Sequence, residues 1–221
     1  MPTPNETELD RGLRRDTILD AADRRFSHFG YGRTTFDDIA AEADLPRPAL
    51  TRYFRDKDDL FRAVSQRQHD QALSTARSAM TASLPDALRA ALRARVELDV
   101  PMAGPQSYSA EFGDPDGPIS GEISRDFTRE YLAVLAEVFA AGDARGEIRL
   151  AERQFSAADA AHLAHCAARG IAANHVDRAT THRRIEQFVT LLIAGLGTPA
   201  AGNGARRAGQ ATPSWADTSS V

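Results

Sequence analysis

The chain has 221 residues, of which 42% are apolar, 26% are charged and one is a cysteine, Cys166. This length is about one and a half times that of a typical domain, so a small head and a larger body are expected. No uninterrupted apolar run of about 18 residues occurs, which argues against a membrane span, and the polar, acidic start argues against a secretion signal. A lone cysteine excludes an internal disulfide framework and favours a reducing, cytoplasmic location.

The formal net charge of −4 is unfavourable for nucleic-acid binding, because affinity for DNA is mainly phosphate electrostatics. Residues 1–70 also contain more acidic than basic side chains. The distribution of the basic side chains is more favourable for DNA binding than the net charge, since a dimer would double a local basic patch. Several basic side chains fall in one part of the chain, which the motifs below identify as a DNA-binding head: Arg33, Arg47, Arg52, Arg55 and Lys57. Three more, Arg11, Arg14 and Arg15, can form a basic arm. Modest nonspecific affinity is therefore expected.

The first predicted elements are an arm and a helix. Residues 1–12 contain two prolines and few apolar groups, which predicts disorder. A helix is predicted over 13–29, because Ile18, Ala22 and Phe26 fall on one face at helical spacing. It ends at the following Gly-Tyr-Gly, since glycine adopts the left-handed C-terminal geometry without strain.

A short second helix and a tight turn come next. Thr35 and Asp38 have the spacing of a capping box, and Ile39 begins the buried stripe of the helix that follows. Asp44 interrupts this pattern and leaves room for a turn of only three or four residues. The spacing predicts a helix-turn-helix.

The third predicted helix is marked by prolines. Pro46 and Pro48 restrict the residues before them to extended conformations, so the helix is predicted to begin at Pro48. Leu50 and Phe54 then lie on its buried side. The outward side carries Arg47, Ala49, Thr51 and Arg52, which can hydrogen-bond guanine, contact a thymine methyl group and grip phosphate. Asp56 is predicted to cap a further helix, whose first-turn amides and Lys57 together form a phosphate clamp.

From about Arg15 to Val64 these motifs resemble the tetracycline-repressor (TetR) family of bacterial transcription regulators. The resemblance is carried by the Gly-Tyr-Gly turn, the Thr-Thr helix start, the Ile-Ala pair and the Tyr-Phe-x-x-Lys ending of ILDAADRRFSHFGYGRTTFDDIAAEADLPRPALTRYFRDKDDLF. It implies an all-α fold with an N-terminal three-helix helix-turn-helix head for DNA and a C-terminal helical body for ligand binding and dimerisation.

The resemblance also implies phosphate contacts from Thr35, Tyr53 and Lys57, and base contacts from the helix after Leu45. Two positions depart from the family's pattern. A proline, Pro46, stands where a polar residue is usual, and Thr51 stands where a tyrosine is usual, so the usual base contacts are in question. The complete predicted DNA-binding set is Arg33, Thr34, Thr35, Arg47, Pro48, Ala49, Thr51, Arg52, Tyr53 and Lys57.

The rest of the chain predicts a helical body. Helices are predicted over 56–80, from Pro85 onward, over about 119–141, over 156–175 and over 181–196. Gly142 and Gly146 are predicted to close the third of these. The segment 101–121 contains four prolines and four glycines, which predicts a broken stretch. The predicted domains are a head over 13–60 and a body over 61–197, followed by a disordered tail over 198–221.

The last two helices have more apolar surface than a thin monomeric body needs, which predicts a partner on each side. We expect them to pair with the same helices of a second copy in a two-fold four-helix bundle. The predicted contacts of this homodimer are Ala161, Ala168, Phe188, Leu192 and Leu196. Two heads on a two-fold axis would read half-sites about one helical turn apart, roughly 34–36 Å.

A stripe at Phe127, Tyr131 and Leu135, joined by Tyr108, Phe112 and His165, can line a cavity for an apolar small molecule, with the broken segment as its lid. Ordinary core packing is the alternative for each residue. His162, His165 and Cys166 have a spacing compatible with a metal, but no fourth ligand is evident. Neither a metal nor a cofactor is predicted.

No phosphate-binding loop, zinc-protease motif or nucleophile elbow is present, so an enzyme is not predicted. The hypothesis is a cytoplasmic, homodimeric transcription regulator, a repressor released from a near-palindromic double-stranded DNA operator when a small, largely apolar effector binds. One alternative is a DNA-binding regulator without a ligand. Another is a helical interaction protein that has lost DNA reading.

Overall fold

The computed structural model describes residues 8–99, 118–174 and 177–197. Within these ranges it is all-α and has no strand, as predicted. None of the helices described is both long and apolar enough to cross a bilayer. The helices are α1 (Glu8–Phe29), α2 (Phe36–Glu42), α3 (Arg47–Leu50), α4 (Lys57–Ser78), α5 (Leu84–Glu97), α6 (Gly121–Ala144), α7 (Ala157–Ala172) and α8 (Arg178–Leu196), with single 3-10 turns at Ala79–Thr81 and Ala151–Arg153.

The first three helices and the start of α4 pack around one small apolar core. Its fully buried members include Ile18 and Phe26 of α1, Ile39 of α2, Leu50 of α3 and Leu60 of α4. Each helix contributes apolar side chains to this core, and α2 and α3, with 7 and 4 residues, are too short to be stable alone in water. Tertiary packing therefore holds the three-helix head together.

The remaining helices form a second core. Helix α5 lies at its centre and packs against α4, α6, α7 and α8. The side chains of Leu88 and Leu92 from α5, Phe139 from α6 and Ile185 from α8 are fully buried there. This arrangement is the larger helical body that was predicted.

Helix α4 belongs to both cores. Val64 in its first half is part of the head core, whereas Leu73 in its second half is part of the body core. Between them, Arg67 donates a 2.7 Å hydrogen bond to Asp20 of α1. Helix α4 therefore connects the head core and the body core without a break.

Helix α1 begins earlier than predicted. Residues 8–12, assigned to a disordered arm, are helical, whereas residues 1–7 lie outside the described part of the chain. Most residues of ELDRGLRRD are good helix formers and only Gly12 opposes the helix. Since the buried turns of α1 already supply the nucleus, extending the helix costs little.

Three other helix ends also differ from prediction. Gly142 lies inside α6, where a Cβ would stand 2.6 Å from a Leu84 methyl, and it permits close approach of α5. The helix ends instead at Ala144, with Arg145 as its C-cap, followed by Gly146 with φ of 77°. Helix α8 starts at Arg178 because Asp177 caps it. Helix α7 ends at Ala172, and the predicted end at residue 175 falls outside the described residues.

Candidate functional site

The helix-turn-helix begins with a reciprocal cap. The Thr35 hydroxyl accepts from the Asp38 amide at 3.1 Å, and the Asp38 carboxylate accepts from the Thr35 amide at 2.8 Å. These bonds satisfy two amides that would otherwise lack partners. The Thr35 hydroxyl also donates to the Asp38 carboxylate at 2.6 Å, and this bond, together with the one from the Thr35 amide, holds the pKa of Asp38 below its ordinary value. The predicted capping box is confirmed, and it fixes the start of α2.

The turn between α2 and α3 depends on a left-handed aspartate. Asp44 has φ of 53°, its amide donates to the Ala41 carbonyl, and the Leu45 amide donates to the Ala40 carbonyl at 3.0 Å. This is the Schellman arrangement that usually carries glycine, although aspartate tolerates the conformation. The sequence indicated a turn here, but no glycine announced its geometry.

Helix α3 is a single turn. It begins at Arg47, which the following proline was expected to keep extended, and it ends at Leu50. The restriction before proline is a bias that helix packing overrides here. Pro46 provides the N-cap without a side-chain hydrogen bond. Leu50 and Phe54 are buried beneath the turn, as predicted.

The predicted reading face points outward. Arg47, Pro48, Thr51 and Arg52 are exposed, whereas Ala49 and Tyr53 are half-buried. The Arg47 Nη1 atom lies 2.8 Å from the Asp37 carboxylate, and both side chains are more than half exposed. Such an exposed pair contributes about 0–1 kcal/mol, so Arg47 can exchange it for another anion. The Thr51 hydroxyl donates to the Pro48 carbonyl at 3.0 Å.

Thr34 is not part of this surface, which corrects its predicted role in DNA binding. Its side chain is 1% exposed and its hydroxyl donates to the Gly30 carbonyl at 2.8 Å. That bond satisfies an orphan carbonyl at the end of α1. Thr34 is a structural residue because the turn after α1 folds over it. Arg33, next to it, is exposed.

Lys57 holds the Gly-Tyr-Gly turn against α4. Its ammonium group donates to the carbonyls of Tyr31 and Thr34 at 2.9 and 3.0 Å, and it lies 4.0 Å from the centroid of the Tyr31 ring. The Tyr31 hydroxyl donates to Asp58, and burial together with this bond raises the pKa of Tyr31 to about 12. Lys57 is thus engaged inside the head in this structure, and a phosphate contact from it stays a prediction.

The residues predicted to line a ligand cavity are mostly core residues. Phe127, Tyr131, Leu135 and His165 are each 4% exposed or less, and the Tyr131 hydroxyl donates to the Ala91 carbonyl at 2.9 Å. The structure therefore favours the packing alternative for Tyr131, Leu135 and His165. The predicted residues Tyr108 and Phe112 lie outside the described part of the chain.

A cavity does open beside this core, between α4 and α6. It measures about 180 Å³, and Phe127 is the one predicted residue on its wall. The cavity differs from the prediction because residues 122–130 of α6 turn one edge toward α4, whereas Tyr131 and Leu135 point into the body core. Its lining is Gln66, His69, Leu73, Glu122, Ile123, Asp126, Phe127 and Glu130.

Three of the five predicted dimer contacts need a similar correction, and for Phe188 and Leu192 the contact stays a prediction. Ala161, Ala168 and Leu196 are 6% exposed or less because they pack inside their own subunit, and Phe188 and Leu192 are half-buried against the same core. The outward faces of α7 and α8 instead expose other apolar groups. Leu163 is 53% exposed and Leu191 is 72% exposed. Gly170 and Gly195 have nothing within 4 Å of the position of a Cβ.

The suggested metal spacing on α7 is not developed into a site. The Cys166 sulfur lies 3.6 Å from His162 Nε2, but His165 is buried on the other side of the helix. Among the residues that the structure describes, no group of three or more His, Cys, Asp or Glu side chains is arranged to hold a metal ion.

The order of these head elements agrees with a known family. Residues 18–64, from the middle of α1 to the first half of α4, match the sequence model of the bacterial regulatory proteins of the tetR family. The likeness to that family's sequence model is confined to these residues of the head.

Curated relatives match about a third of the chain. The HTH-type transcriptional repressor Rv1474c of Mycobacterium tuberculosis is 34% identical over 76 residues, which is 34% of this chain and 40% of that protein. The HTH-type transcriptional activator FasR of Mycolicibacterium smegmatis is 38% identical over 72 residues, 33% of each chain. The chain thus spans two fifths or less of these relatives, which are named as regulators of opposite sign.

A solved structure has a similar fold over most of the chain. FadR from Bacillus subtilis, in complex with stearoyl-CoA, superposes with a TM-score of 0.59 at 15% identity, over 82% of this chain and 98% of that one. At this identity the likeness concerns the fold alone.

Several notable residues of this chain were not singled out from its sequence. His69 and Arg95 are 1% exposed, yet each lies at helical spacing from buried apolar neighbours, so a strict count of the stripe would have found them. Asp37 carries no signal that it would pair with Arg47, since the two are ten residues apart. The sequence does not indicate that Leu163 and Leu191 are exposed. Their helices, α7 and α8, carry apolar residues on both sides, so spacing does not separate inward from outward positions.

Proposed function

We propose that this chain is a homodimeric, DNA-binding transcription regulator whose heads read a near-palindromic operator and whose body binds a small effector. The observation that carries the proposal is the outward side of residues 47–52, which form α3 and the turn after it. This segment presents two arginines, a hydroxyl and a methyl-bearing residue, and it is anchored to the core by Leu50 and Phe54. These are group types that hydrogen-bond base edges, contact thymine methyl groups and grip phosphate.

Dimerisation is proposed through the outward faces of α7 and α8, around Leu163 and Leu191. Two protomers joined there on a two-fold axis would present two heads to the same side of a duplex, with half-sites about one turn apart, roughly 34–36 Å. We retain the proposed division into a head over 13–60 and a body over 61–197, although this boundary falls inside α4. The site of action is the cytoplasm, where the operator is found.

The effector is proposed to act by a population shift. A molecule that binds one shape of the body more tightly than another changes the spacing of the heads and so weakens the operator complex. Support comes from the cavity between α4 and α6, since α4 continues into the head core, and from the similarity of fold to FadR, whose structure contains stearoyl-CoA. Repression is proposed as the sign of regulation, following Rv1474c.

Binding of the purified dimer to DNA from around its own gene tests the proposal. Arg47→Ala is expected to weaken operator binding by about 1–3 kcal/mol and to change binding to unrelated DNA far less, because a base contact carries sequence information. Arg93→Ala, which removes a half-exposed arginine from α5 in the body, is the control and should leave both affinities unchanged.

Because Arg47→Ala also leaves Asp37 without its partner, the pair Asp37→Ala and Asp37→Ala/Arg47→Ala separates the base contact from the added negative charge. Equal loss on operator and unrelated DNA would remove Arg47 from the base-reading set. Absence of binding to every fragment at low salt would overturn the DNA-reading function itself.

A helical interaction protein is the second candidate. It is favoured by the acidic side chains that pair with basic side chains of the head, as Asp37 does with Arg47. Its signature would be DNA binding that is weak and nearly independent of salt, since few phosphate counterions would be released. A regulator without an effector would instead bind its operator equally well with and without a metabolite extract.

A further inference from the structure

The cavity between α4 and α6 has an acidic wall. Its polar lining consists of Glu122, Asp126 and Glu130 from α6 together with Gln66 and His69 from α4. Among the described residues that line it, none is a lysine or an arginine. The three carboxyl side chains follow one another at intervals of four residues, so they form a row along one edge of α6, which we call the acidic row. All three are exposed, so the acidic row borders the mouth of the cavity.

The position of the acidic row in its helix does not account for all of it. The helix dipole favours a carboxylate in the first turn, which explains Glu122. Asp126 and Glu130 lie one and two turns further on, where this effect has faded. Asp126 accepts a 2.7 Å hydrogen bond from Arg129, and in the same way Glu130 pairs with Arg77. Each of these side chains is at least half exposed, so the pairs are weak and the carboxylates keep lone pairs for a further donor.

His69 is a second, independent sign of a ligand in this cavity. It forms part of the wall, its side chain is 1% exposed, and neither of its ring nitrogens has a hydrogen-bond partner. A buried polar group without a partner is rare in folded proteins, because it loses its hydrogen bonds to water and gains none in return. A molecule in the cavity can supply the missing partner.

The charges near His69 determine which way round a cationic molecule can lie. Burial, together with the charge of Arg95, lowers the pKa of His69 to about 4, so its imidazole is neutral near pH 7. The Arg95 guanidinium carbon also lies 5.7 Å from the centroid of the Phe127 ring. A cationic group is therefore unfavourable at the His69 end of the cavity and favourable at the acidic row. A neutral imidazole has one N–H donor and one acceptor nitrogen, so it matches a hydroxyl group.

We propose that this cavity binds an amphipathic amine that also carries a hydroxyl group, with its ammonium group at the acidic row and its hydroxyl at His69. The apolar portion between them lies against the apolar residues of the wall, Leu73, Ile123 and Phe127. The ammonium group donates charge-assisted hydrogen bonds to the carboxylates, and the hydroxyl supplies a partner that His69 lacks. This inference rests on the proposed function, because it specifies the chemical class of the effector.

Calorimetry on the full-length protein with three probes of equal chain length tests the charge of the ligand. Octylamine is expected to bind at least about fivefold more tightly than 1-octanol, because its ammonium group is attracted by several partly exposed carboxylates. Octanoate should bind more weakly than either, since the same carboxylates repel it. The preference for octylamine over 1-octanol should shrink as the salt concentration is raised.

Glu122→Gln tests the acidic row with little effect on the fold, since Glu122 is exposed. The variant should reduce the preference for octylamine over 1-octanol by about two- to threefold and leave the binding of 1-octanol unchanged. Glu137→Gln makes the same charge change at an exposed position of α6 that does not line the cavity. It is the matched control and should keep the preference.

The probe 8-amino-1-octanol tests the hydroxyl contact. In the wild-type protein it should bind at least as tightly as octylamine, because a hydrogen bond to His69 offsets the lost hydration of the hydroxyl group. His69→Phe keeps a ring to stack on Phe127 and removes both nitrogens. It should weaken the binding of 8-amino-1-octanol relative to octylamine by at least about threefold. The comparison of the two probes in the wild-type protein stands even if this variant does not fold.

Equal binding of octylamine and 1-octanol, no binding of any probe, or a preference unchanged by Glu122→Gln would overturn the placement of a cation at the acidic row. Weaker binding of 8-amino-1-octanol than of octylamine to the wild-type protein would overturn the hydroxyl contact. None of these results would touch the DNA-reading function, since operator binding is measured separately without any ligand. Loss of operator binding with an intact preference for octylamine would do the reverse.

Discussion

Asp37 and Arg47 lie ten residues apart in the chain but meet at 2.8 Å across the turn of the reading head. The pair holds Arg47 over the outer surface and at the same time neutralises part of its charge. Because both side chains are more than half exposed, the interaction is screened and weak. An operator phosphate or guanine would therefore compete with Asp37 for the same guanidinium.

Asp37→Asn is expected to strengthen DNA binding by about two- to fivefold at low salt, since it removes an acid near the phosphates and releases Arg47. Fluorescence anisotropy with labelled operator DNA measures the effect, which should shrink as salt increases. Asp37 also lies in the first turn of α2, so the variant loses about 0.3–1 kcal/mol of dipole interaction, and binding should be measured well below its unfolding temperature. Glu137→Gln, with the same charge change on an exposed part of α6, is the control; a similar gain there would mean that only net charge matters.

At the scale of elements, the head and body touch at a second place besides α4. Ile119, two residues before α6, packs against the head core, and its carbonyl accepts a 3.3 Å hydrogen bond from Arg62 Nε of α4. Ile123, one turn into α6, is part of the cavity wall. The start of α6 thus contacts both the cavity and the head, and a shift of this helix would change the support of the head.

Ile119→Ala is expected to destabilise the head locally by about 1 kcal/mol, because it removes apolar contact from a half-buried side chain. Hydrogen exchange should accelerate roughly fivefold at the amides of α1 and the first turns of α4, and remain unchanged in α7. Ile148→Ala, in the body core, is the comparison and should accelerate exchange in the body instead. Uniform acceleration in both variants would argue against a specific contact between α6 and the head.

The sequence predicted the elements well where local signals are strong. Thr35 and Asp38, Asp56, and Ser156 with Asp159 each mark a helix start that the structure confirms. The outward face of α3 also followed from spacing. The cavity between α4 and α6 could not be predicted from the sequence, because it depends on which side of α6 faces α4. The buried position of Arg95, His69 and His165 near one another could not be predicted either, because these residues converge from three helices. Such contacts are long-range, and single-helix periodicity carries no information about them.

At the scale of the whole molecule, the outward faces of α7 and α8 expose apolar side chains that a partner subunit could cover. Leu163 and Leu191 are more than half exposed, and the glycines Gly170 and Gly195 leave room for another backbone to approach. The alanines predicted for this contact serve the subunit's own core instead. Association through this face, as proposed, would remove Leu163 and Leu191 from water.

Leu191→Glu is expected to raise the dissociation constant of the dimer by at least about 100-fold, because it places like charges in an apolar contact. Analytical ultracentrifugation measures the constant, and circular dichroism should show unchanged helix content. Operator affinity should fall with the dimer. Ala140→Glu, an exposed position on α6, is the control and should leave both unchanged. A dimer that survives Leu191→Glu would place the interface on another surface.

The shortness of α3 limits how many base pairs a single head can contact. One helical turn, begun by a proline cap, offers only a few outward side chains to a groove. If the head reads DNA as proposed, each half-site carries little information by itself and many chance matches exist in a genome. Discrimination between sites would then come mainly from the fixed separation and orientation of the two half-sites. Adding a few base pairs between the half-sites would therefore weaken binding more than changing one base pair within a half-site.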